Sequence, residues 1–205
     1  MSLKSKIYNF KKDPSLVFKK LCVSKVARII PDKWMLKIQY RLYLKKTLNL
    51  TNPQGFNEKI QWLKLYNRRP EYILMVDKFE AKKYVAERIG SQYIIPTIGA
   101  WNRFDDIDID ALPQQFVLKC THDSKSTIIC KNKKVFDYKT AGLKLKEKLN
   151  NNLFWWGREW AYKDAPPRII AEEYLVDDSG DEPKDYKIFC FNGEPRAILV
   201  CAERF

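Results

Sequence analysis

One lysine interrupts an apolar run and is the first candidate for a ligand-binding side chain. Lys119 lies in Phe116–Cys120, whose other members are Phe, Val, Leu and Cys. Lysine is rarely buried without a partner. On a strand, it can point into a cleft and neutralise a nucleotide phosphate, or it can extend from the strand end into solvent. The residue pattern leaves both interpretations open.

The polar loop at residues 121–126 separates this run from a second apolar run and is rich in Thr and Ser. Such a loop can enclose phosphate with backbone N–H groups and hydroxyls, and an ordinary polar loop between two strands has the same composition. His122 is the only histidine in the chain. No cysteine or acidic pair beside it completes a nucleophilic or metal site, so we expect a hydrogen-bonded loop residue.

Charged side chains also mark the ends of later runs. Glu172 and Glu173 end an apolar run. The strand edge there can offer backbone groups to a purine and a carboxylate to a ribose hydroxyl, or it can be a solvated strand end. Lys187 follows Asp185 by two residues, so strand alternation puts both on one face. Lys187 is therefore either a second phosphate contact or an exposed charge.

Helical and strand patterns must position these side chains. Helical patterns cover residues 14–29, 33–48, 57–66, 70–89 and 138–150, with a helical turn at 105–110. Pro70 suits a first helical turn and Gly90 suits a helix end. Strand patterns cover 116–120, 127–130, 168–175, 185–191 and 196–202, with an extended piece starting at 94–96. Asn192-Gly193 is a strong hairpin signal. Asp77 and Lys78 fall inside a helical pattern, where surface charges are expected.

Length and composition indicate a globular protein. The 205 residues are 45% hydrophobic and can build one or two compact domains. The five cysteines show no paired spacing, no CxxC and no Cys/His cluster, which indicates a reducing compartment and disfavours zinc. The sequence has no long apolar run of the kind that would predict a signal peptide or a membrane-spanning helix. We therefore expect a cytoplasmic protein.

The positive charge is concentrated near the N-terminus. Of the net +13, residues 1–50 contribute thirteen Lys/Arg against two Asp, which is +11, and residues 51–205 contribute the remaining +2. This segment is either an arm that binds an anionic membrane surface, at the inner face of the membrane, or a helical pair that packs on the main domain. Nucleic acid is disfavoured, because basic and aromatic residues do not alternate at a stacking distance.

Several motifs, in one order, resemble the TupA-like ATP-grasp family over roughly residues 50–205. This family occurs in bacterial capsule, teichuronic acid and exopolysaccharide pathways, and its members are often labelled glycosyltransferases. The resemblance is carried by Phe56–Lys64, Val76–Lys78, Phe116–Ser124, Ile128–Lys131, Gly157–Trp160, Pro167–Leu175 and Asp185–Glu194.

The resemblance implies roles for individual residues. Lys78 and Lys119 correspond to nucleotide-facing lysines, and Lys187 to a phosphate-contacting lysine of the larger subdomain. It also implies a loop that covers the phosphates and a hinge that holds adenine and ribose. The loop is represented by His122, Asp123 and Ser124, and the hinge by Glu172, Glu173, Tyr174 and Leu175.

Two departures from the family pattern affect these expectations. Lys125 stands where the family loop usually has glycine, which permits a positive φ and close backbone approach. The family pattern also continues beyond residue 205 with acidic and Asn/Asp metal ligands. We therefore expect the second ATP-grasp subdomain to be incomplete in this sequence, and the Mg²⁺ ligands to lie beyond its C-terminus.

The sequence thus predicts an α+β, ATP-grasp-like fold with an antiparallel sheet, flanking helices and a basic helical N-terminal segment. The expected division is 1–50, a helical region at 51–113 and a nucleotide-binding region at 114–205. The resemblance implies ATP- and Mg²⁺-dependent ligation of a carboxylate to an amine, such as an amino sugar, through an acylphosphate. Two alternatives stay open. A nucleotide-sugar glycosyltransferase would need a DxD site, which 106–108 and 108–110 match by letter only, and a non-catalytic membrane-surface scaffold would need only the basic arm.

Overall fold

The computed structural model describes Phe18, Cys22 and residues 24–176 and 184–201. Near the N-terminus, a 3₁₀ turn at Lys25–Ile29 leads through Pro31 into helix α1, Asp32–Leu44. The apolar side of α1 contributes Leu36 and Tyr40 to a buried cluster that Leu65 of the next helix also contacts. For the described residues, this packing agrees with the second interpretation of the basic segment.

Three helices follow, where the sequence predicted two. Helix α2 is Phe56–Tyr66, α3 is Glu71–Val76 and α4 is Glu80–Ile89. The prediction of one continuous helix over 70–89 is therefore wrong, because the chain breaks at residues 77–79. Gly90 ends α4 with a φ of 105°, as its glycine signal predicted.

Four short strands form an antiparallel sheet in the order β1-β4-β2-β3. Strand β2 lies exactly where the apolar run predicted it, and β4 is shorter than its 168–175 pattern. The strand β1, from the predicted 51–113 region, forms one edge of this sheet. The strands are Thr97–Trp101, Phe116–Cys120, Ile128–Cys130 and Ile169–Glu173.

One face of the sheet packs on helix α5, Tyr138–Leu149, whose first turn is capped by the Asp137 carboxylate. Phe116, Leu118 and Leu145 form the centre of this core. Because side chains alternate along a strand, the neighbouring positions of β2 lie on the other face and are only partly buried. Lys119 is on that second face, which we call the open face.

A separate two-stranded sheet pairs β5, Asp185–Phe191, with β6, Glu194–Cys201. The predicted Asn192-Gly193 turn is confirmed, since both residues have positive φ, at 53° and 82°. The side chains of this hairpin are largely exposed. The predicted loop at 177–183 and the end of the last predicted strand, at residue 202, lie outside the described residues.

The remaining elements are short. Helix α6 is Phe154–Gly157, and 3₁₀ turns occupy Ser91–Tyr93, Phe104–Asp106, Lys133–Val135 and Trp160–Tyr162. The helical turn expected at 105–110 is thus confined to the start of that stretch. Within the part of the chain that the structure describes, no helix is both long enough and apolar enough to span a bilayer.

Candidate functional site

A buried carboxylate lies between two lysines on the open face of the sheet. Glu172, on β4, is only 3% exposed in its side chain and forms ion pairs with Lys119 of β2 and Lys82 of α4. The Lys82 Nζ to Glu172 Oε1 distance is 2.5 Å. Two ammonium groups around one carboxylate leave an excess positive charge, which favours an anionic ligand at this face.

Strand register and a helix bring these three residues together. Val117 lies opposite Glu172 in the β2–β4 pairing, so Lys119, two residues on, points to the same face one step along the strand. The Lys82 side chain, on α4, is held in place because its ammonium also donates to Ile95 O at 2.7 Å and to Thr97 Oγ1 at 2.9 Å. The predicted residues Lys119 and Glu172 are therefore adjacent, and Lys82 is a third member that the sequence reasoning missed.

The break between α3 and α4 is organised by Asp77. Its Oδ1 accepts hydrogen bonds from the N–H groups of Phe79 and Glu80, at 2.8 and 3.1 Å, and so caps the first turn of α4. Its Oδ2 accepts from Arg168 at 2.9 Å. Asp77 has no exposed surface, so the expectation of a surface charge is wrong for this residue. A buried carboxylate with three donors fixes the chain direction at this point.

Lys78, the next residue, holds the start of the 121–126 loop. Its N–H donates to Thr121 O at 3.0 Å, and its ammonium donates to Cys120 O at 3.0 Å and to Asp123 O. Burial lowers the pKa of Lys78, although the charge of Asp123 opposes this effect. Like Asp77, Lys78 lies in the break between α3 and α4. Its ammonium is bonded to the backbone of the loop, so the expectation of a surface charge is wrong for Lys78 as well.

Inside the loop, short hydrogen bonds connect its two ends. The Ser126 hydroxyl donates to Asp123 Oδ1 at 2.5 Å and accepts from Cys120 N at 2.9 Å. Burial raises the pKa of the Cys120 thiol to about 12, so this thiol stays protonated at neutral pH and is a poor nucleophile. Ser124 and Lys125 are exposed. Lys125 has a φ of 66°, the left-handed conformation for which the family glycine is suited.

His122 is buried on the far side of the loop. Its Nε2 lies 3.1 Å from Asn151 O, and because a carbonyl only accepts, Nε2 carries the proton in this bond. Burial lowers the pKa of His122, and the bond to Asn151 partly offsets the shift. The expectation of a hydrogen-bonded loop histidine is confirmed.

The segment predicted as an adenine hinge continues directly from Glu172. The N–H of Glu173 donates to Pro96 O at 3.2 Å, which ties the end of β4 to the chain before β1. Tyr174 is half-buried, and the side chains of Glu173 and Leu175 are exposed. The side chains of Glu173 and Leu175 are thus accessible next to the Glu172 site. The free strand edge expected at Glu172 and Glu173 is wrong, because β4 pairs with β1 on one side and with β2 on the other.

Lys187 lies on the separate β5–β6 hairpin, and its side chain is 48% exposed. Its ammonium is 3.6 Å from the Asp185 carboxylate, so the predicted shared face is confirmed. Its convergence with Lys119 on one ligand stays a prediction.

The acidic stretch at 105–110 is held by local contacts. Asp105 pairs with Lys146 at 2.7 Å, and Asp108 Oδ1 accepts from the N–H groups of Asp110 and Ala111. Across residues 24–176 and 184–201, no group of three or more His, Cys, Asp or Glu side chains is arranged to hold a metal ion. We therefore assign no metal ligands in the described part of the chain.

The structure is thus an α+β protein with an antiparallel sheet, and two lysines surround a buried carboxylate on one face of that sheet. Comparison with protein families identifies its relatives. The sequence model of the TupA-like ATPgrasp family matches residues 58–205, which is 148 of the 205 residues. The chain belongs to the TupA-like ATP-grasp family, as its motifs indicated, and ATP-grasp proteins as a class bind ATP and Mg²⁺. No curated protein and no solved structure matched the chain.

Proposed function

We propose that this protein binds ATP on the open face of the sheet and uses it to join a carboxylate to an amine in bacterial cell-surface polysaccharide synthesis. The observation that carries the proposal is the Lys82–Glu172–Lys119 group, a pair of lysines held at a half-buried sheet face in a member of an ATP-grasp family. The polysaccharide context follows from the family resemblance.

The charge balance supports a triphosphate at this face. Among the described residues, Lys119 forms an ion pair with one carboxylate, Glu172, and Lys82 shares that partner. A phosphate oxygen within reach of Lys119 would therefore gain a cation that Glu172 only half neutralises. Glu172 has a second role in the proposal, because it keeps Lys119 oriented when no anion is bound.

The proposed reaction has two steps with balanced atoms. A substrate carboxylate oxygen forms a bond to the terminal phosphorus of ATP as the bond to the bridging oxygen of ADP breaks, and an amine then displaces inorganic phosphate from the acyl carbon and loses a proton. Positive side chains aid the first step by offsetting charge on the phosphoryl oxygens. Lys119 supplies this charge from the sheet, and Lys187 is its proposed counterpart on the hairpin.

The adenine end of the nucleotide is proposed to lie against Glu173, Tyr174 and Leu175. These residues lie at and just beyond the end of β4, so a nucleotide whose phosphates meet Lys119 can extend its base past that end of the strand. The loop at 121–126 is proposed to lie over the phosphates. Lys78 and the Ser126–Asp123 bond would fix its backbone there.

Ligand-induced thermal stabilisation separates this function from its rival. A ligand that binds only the folded state raises the melting temperature. We expect Mg-ATP to raise it and nucleotide-sugars to leave it unchanged. Stabilisation by a UDP-sugar without stabilisation by Mg-ATP would replace the ligase by a glycosyltransferase.

We further propose that α1 rests on anionic membranes. On the side away from the Leu36 and Tyr40 core, it exposes Trp34, at 57% exposure, and Ile38, beside the basic residues Lys37 and Arg41. Such a basic, aromatic helix face suits the headgroup region of a membrane.

Point substitutions test this surface better than a deletion, because the other side of α1 belongs to the core. The double variant Lys37→Gln/Arg41→Gln should release the protein from sedimented vesicles that contain phosphatidylglycerol. A matched variant on other surface lysines, Lys134→Gln/Lys139→Gln, should bind as the parent does. Equal binding by all three proteins would end the proposal.

A further inference from the structure

A cavity beside the 121–126 loop is bordered by two cations that lack a carboxylate partner. Its volume is about 370 Å³, within the range of about 300–1,000 Å³ typical of small-molecule sites. Arg28, from the 3₁₀ turn before α1, and Lys148, near the end of α5, both line it. Neither side chain forms an ion pair with another residue in the described part of the chain. Two unneutralised charges of the same sign at one cavity favour an anionic ligand.

The charge of Arg28 is held at the cavity by an aromatic ring. Its guanidinium carbon lies 5.1 Å from the centre of the Trp155 ring, which is a cation–π distance. Trp155 also lines the cavity and is half-buried. Contact with a ring uses the flat face of a guanidinium and leaves the N–H groups, which lie in its plane, for an acceptor.

A second guanidinium lies over the same ring. The Arg158 guanidinium carbon is 4.9 Å from the Trp155 centre, but this side chain is buried and pairs with Asp32 at 3.1 Å. Asp32 also pairs with Arg68 at 3.0 Å, so its charge is already shared between two cations. Arg28 and Arg158 therefore repel each other at one indole, and an anion bound to Arg28 would offset that repulsion.

Two carboxylate residues also border the cavity, and they are not equivalent. Asp123 accepts from the Ser126 hydroxyl inside the loop, and its other carboxylate oxygen is buried, so this group is not offered to the cavity. Glu147 is exposed. Among the described residues that line the cavity, Glu147 is thus the carboxylate that an anion would meet, and Arg28 and Lys148 outnumber it.

Neutral donors lie beside the two cations. The side chains of Ser124, in the loop, and Asn151, just after α5, are exposed at the cavity. Neither side chain makes a hydrogen bond to another described residue. A phosphate monoester carries a charge of about −1.5 to −2 at neutral pH and has three strong acceptor oxygens. It can therefore use both cations and the neutral donors at once, whereas a carboxylate has one charge and two oxygens.

We propose that this cavity binds a phosphate monoester, with the Arg28 guanidinium and the Lys148 ammonium as its charged contacts. The organic part of the ligand would lie against Leu153 and Trp156, which form an apolar part of the wall. The site shares no residue with the Lys82–Glu172–Lys119 group, so the proposal does not depend on the proposed function.

Calorimetric titration of the intact chain tests the need for a phosphate. Glucose 1-phosphate is compared with glucose, and dihexanoyl phosphatidic acid, kept below its micellar concentration, is compared with dihexanoylglycerol. The members of each pair differ by the phosphate group. We expect at least one phosphate to bind at least tenfold more tightly than its phosphate-free counterpart, and the tighter of the two phosphates shows whether the ligand has a sugar or a lipid body.

Four variants locate the bound phosphate. Arg28→Gln and Lys148→Gln should each weaken its binding about tenfold, because each removes a charged contact. Glu147→Gln should strengthen the binding, because it removes a charge of the same sign as the ligand. Lys139→Gln, an exposed lysine of α5 outside the cavity, should bind like the parent.

Equal affinity for each phosphate and its phosphate-free counterpart would overturn the proposal, and this comparison uses the unchanged protein. Unchanged affinity in both Arg28→Gln and Lys148→Gln, or weaker binding in Glu147→Gln, would overturn it as well. The same titration with Lys119→Met separates the cavity from the open face of the sheet. We expect unchanged binding of the phosphate monoester in Lys119→Met, and loss of binding there but not in Arg28→Gln would assign the phosphate to the open face instead.

Discussion

Replacing Asp77 tests the structural basis of the site most sharply, because this residue breaks the helix and sets the position of Lys78. Asp77→Ala removes the cap of α4, which is worth about 1 kcal/mol. It also removes a buried bond to Arg168, and hydrogen bonds to charged groups are worth about 1.5–3 kcal/mol. The expected loss in free energy of unfolding is about 2.5–4 kcal/mol.

Two further variants separate these contributions. Asp77→Asn keeps a capping oxygen and loses the charge, so it should cost about 1–2 kcal/mol less than Asp77→Ala. Glu80→Gln is the matched control, since Glu80 also lies 2.9 Å from Arg168 but is 34% exposed in its side chain. Partly exposed ion pairs contribute about 0–1 kcal/mol, and Glu80→Gln should cost no more than that.

Urea unfolding followed by circular dichroism gives these free energies, provided that the slope with denaturant is equal among the variants. An Asp77→Ala value within about 0.5 kcal/mol of the parent, the usual range for surface substitutions, would contradict a structural role for Asp77. A larger loss in Glu80→Gln than in Asp77→Ala would contradict it as well.

Two other substitutions have definite expected outcomes. Lys125→Gly should leave the free energy of unfolding unchanged or raise it, because Lys125 adopts a left-handed conformation that costs a non-glycine residue about 1–2 kcal/mol; Lys144→Gly, in α5, should lower it by about 1 kcal/mol, and equal losses in urea unfolding would contradict this. For His122, burial lowers the folded pKa below the ordinary 6.5, so the unfolded chain binds a proton first and stability should fall as pH drops below about 6.5. His122→Gln should flatten this decline, and since no other histidine is present, an unchanged slope of melting temperature against pH would refute the assignment.

Elements whose signals are local could be predicted from the sequence. The run Phe116–Cys120 and the Asn192-Gly193 turn appear as predicted, because strand alternation and positive φ depend on adjacent residues. The break at Asp77 could not be predicted in the same way. The local part of this break, the cap of Asp77 on Phe79 and Glu80, has a sequence signal in Glu80 three residues after Asp77, which the helical pattern at 70–89 concealed. The bond of Asp77 to Arg168, 91 residues away in the sequence, had no local signal.

The candidate site shows the same division. The apolar surroundings of Lys119 and Glu172 marked both as unusual, and they form an ion pair. Lys82 was missed because a lysine inside an amphipathic helix looks like a surface charge. The sequence offers one indirect signal for a second lysine. Glu172 is a carboxylate at the end of an apolar run, and such a carboxylate needs a partner other than solvent. Only the packing of α4 over the sheet identifies which lysine supplies the second charge.

The affinity of the protein for Mg-ATP, measured by calorimetry before and after the substitution Lys119→Met, tests most directly whether the open face of the sheet is the nucleotide site. Methionine keeps most of the length of the unbranched side chain and removes its charge, and Lys139→Met, on the exposed side of α5, is the control. We expect the parent and Lys139→Met to bind Mg-ATP alike and Lys119→Met to bind it at least tenfold more weakly. Equal affinity in all three proteins would show that the open face of the sheet is not the nucleotide site.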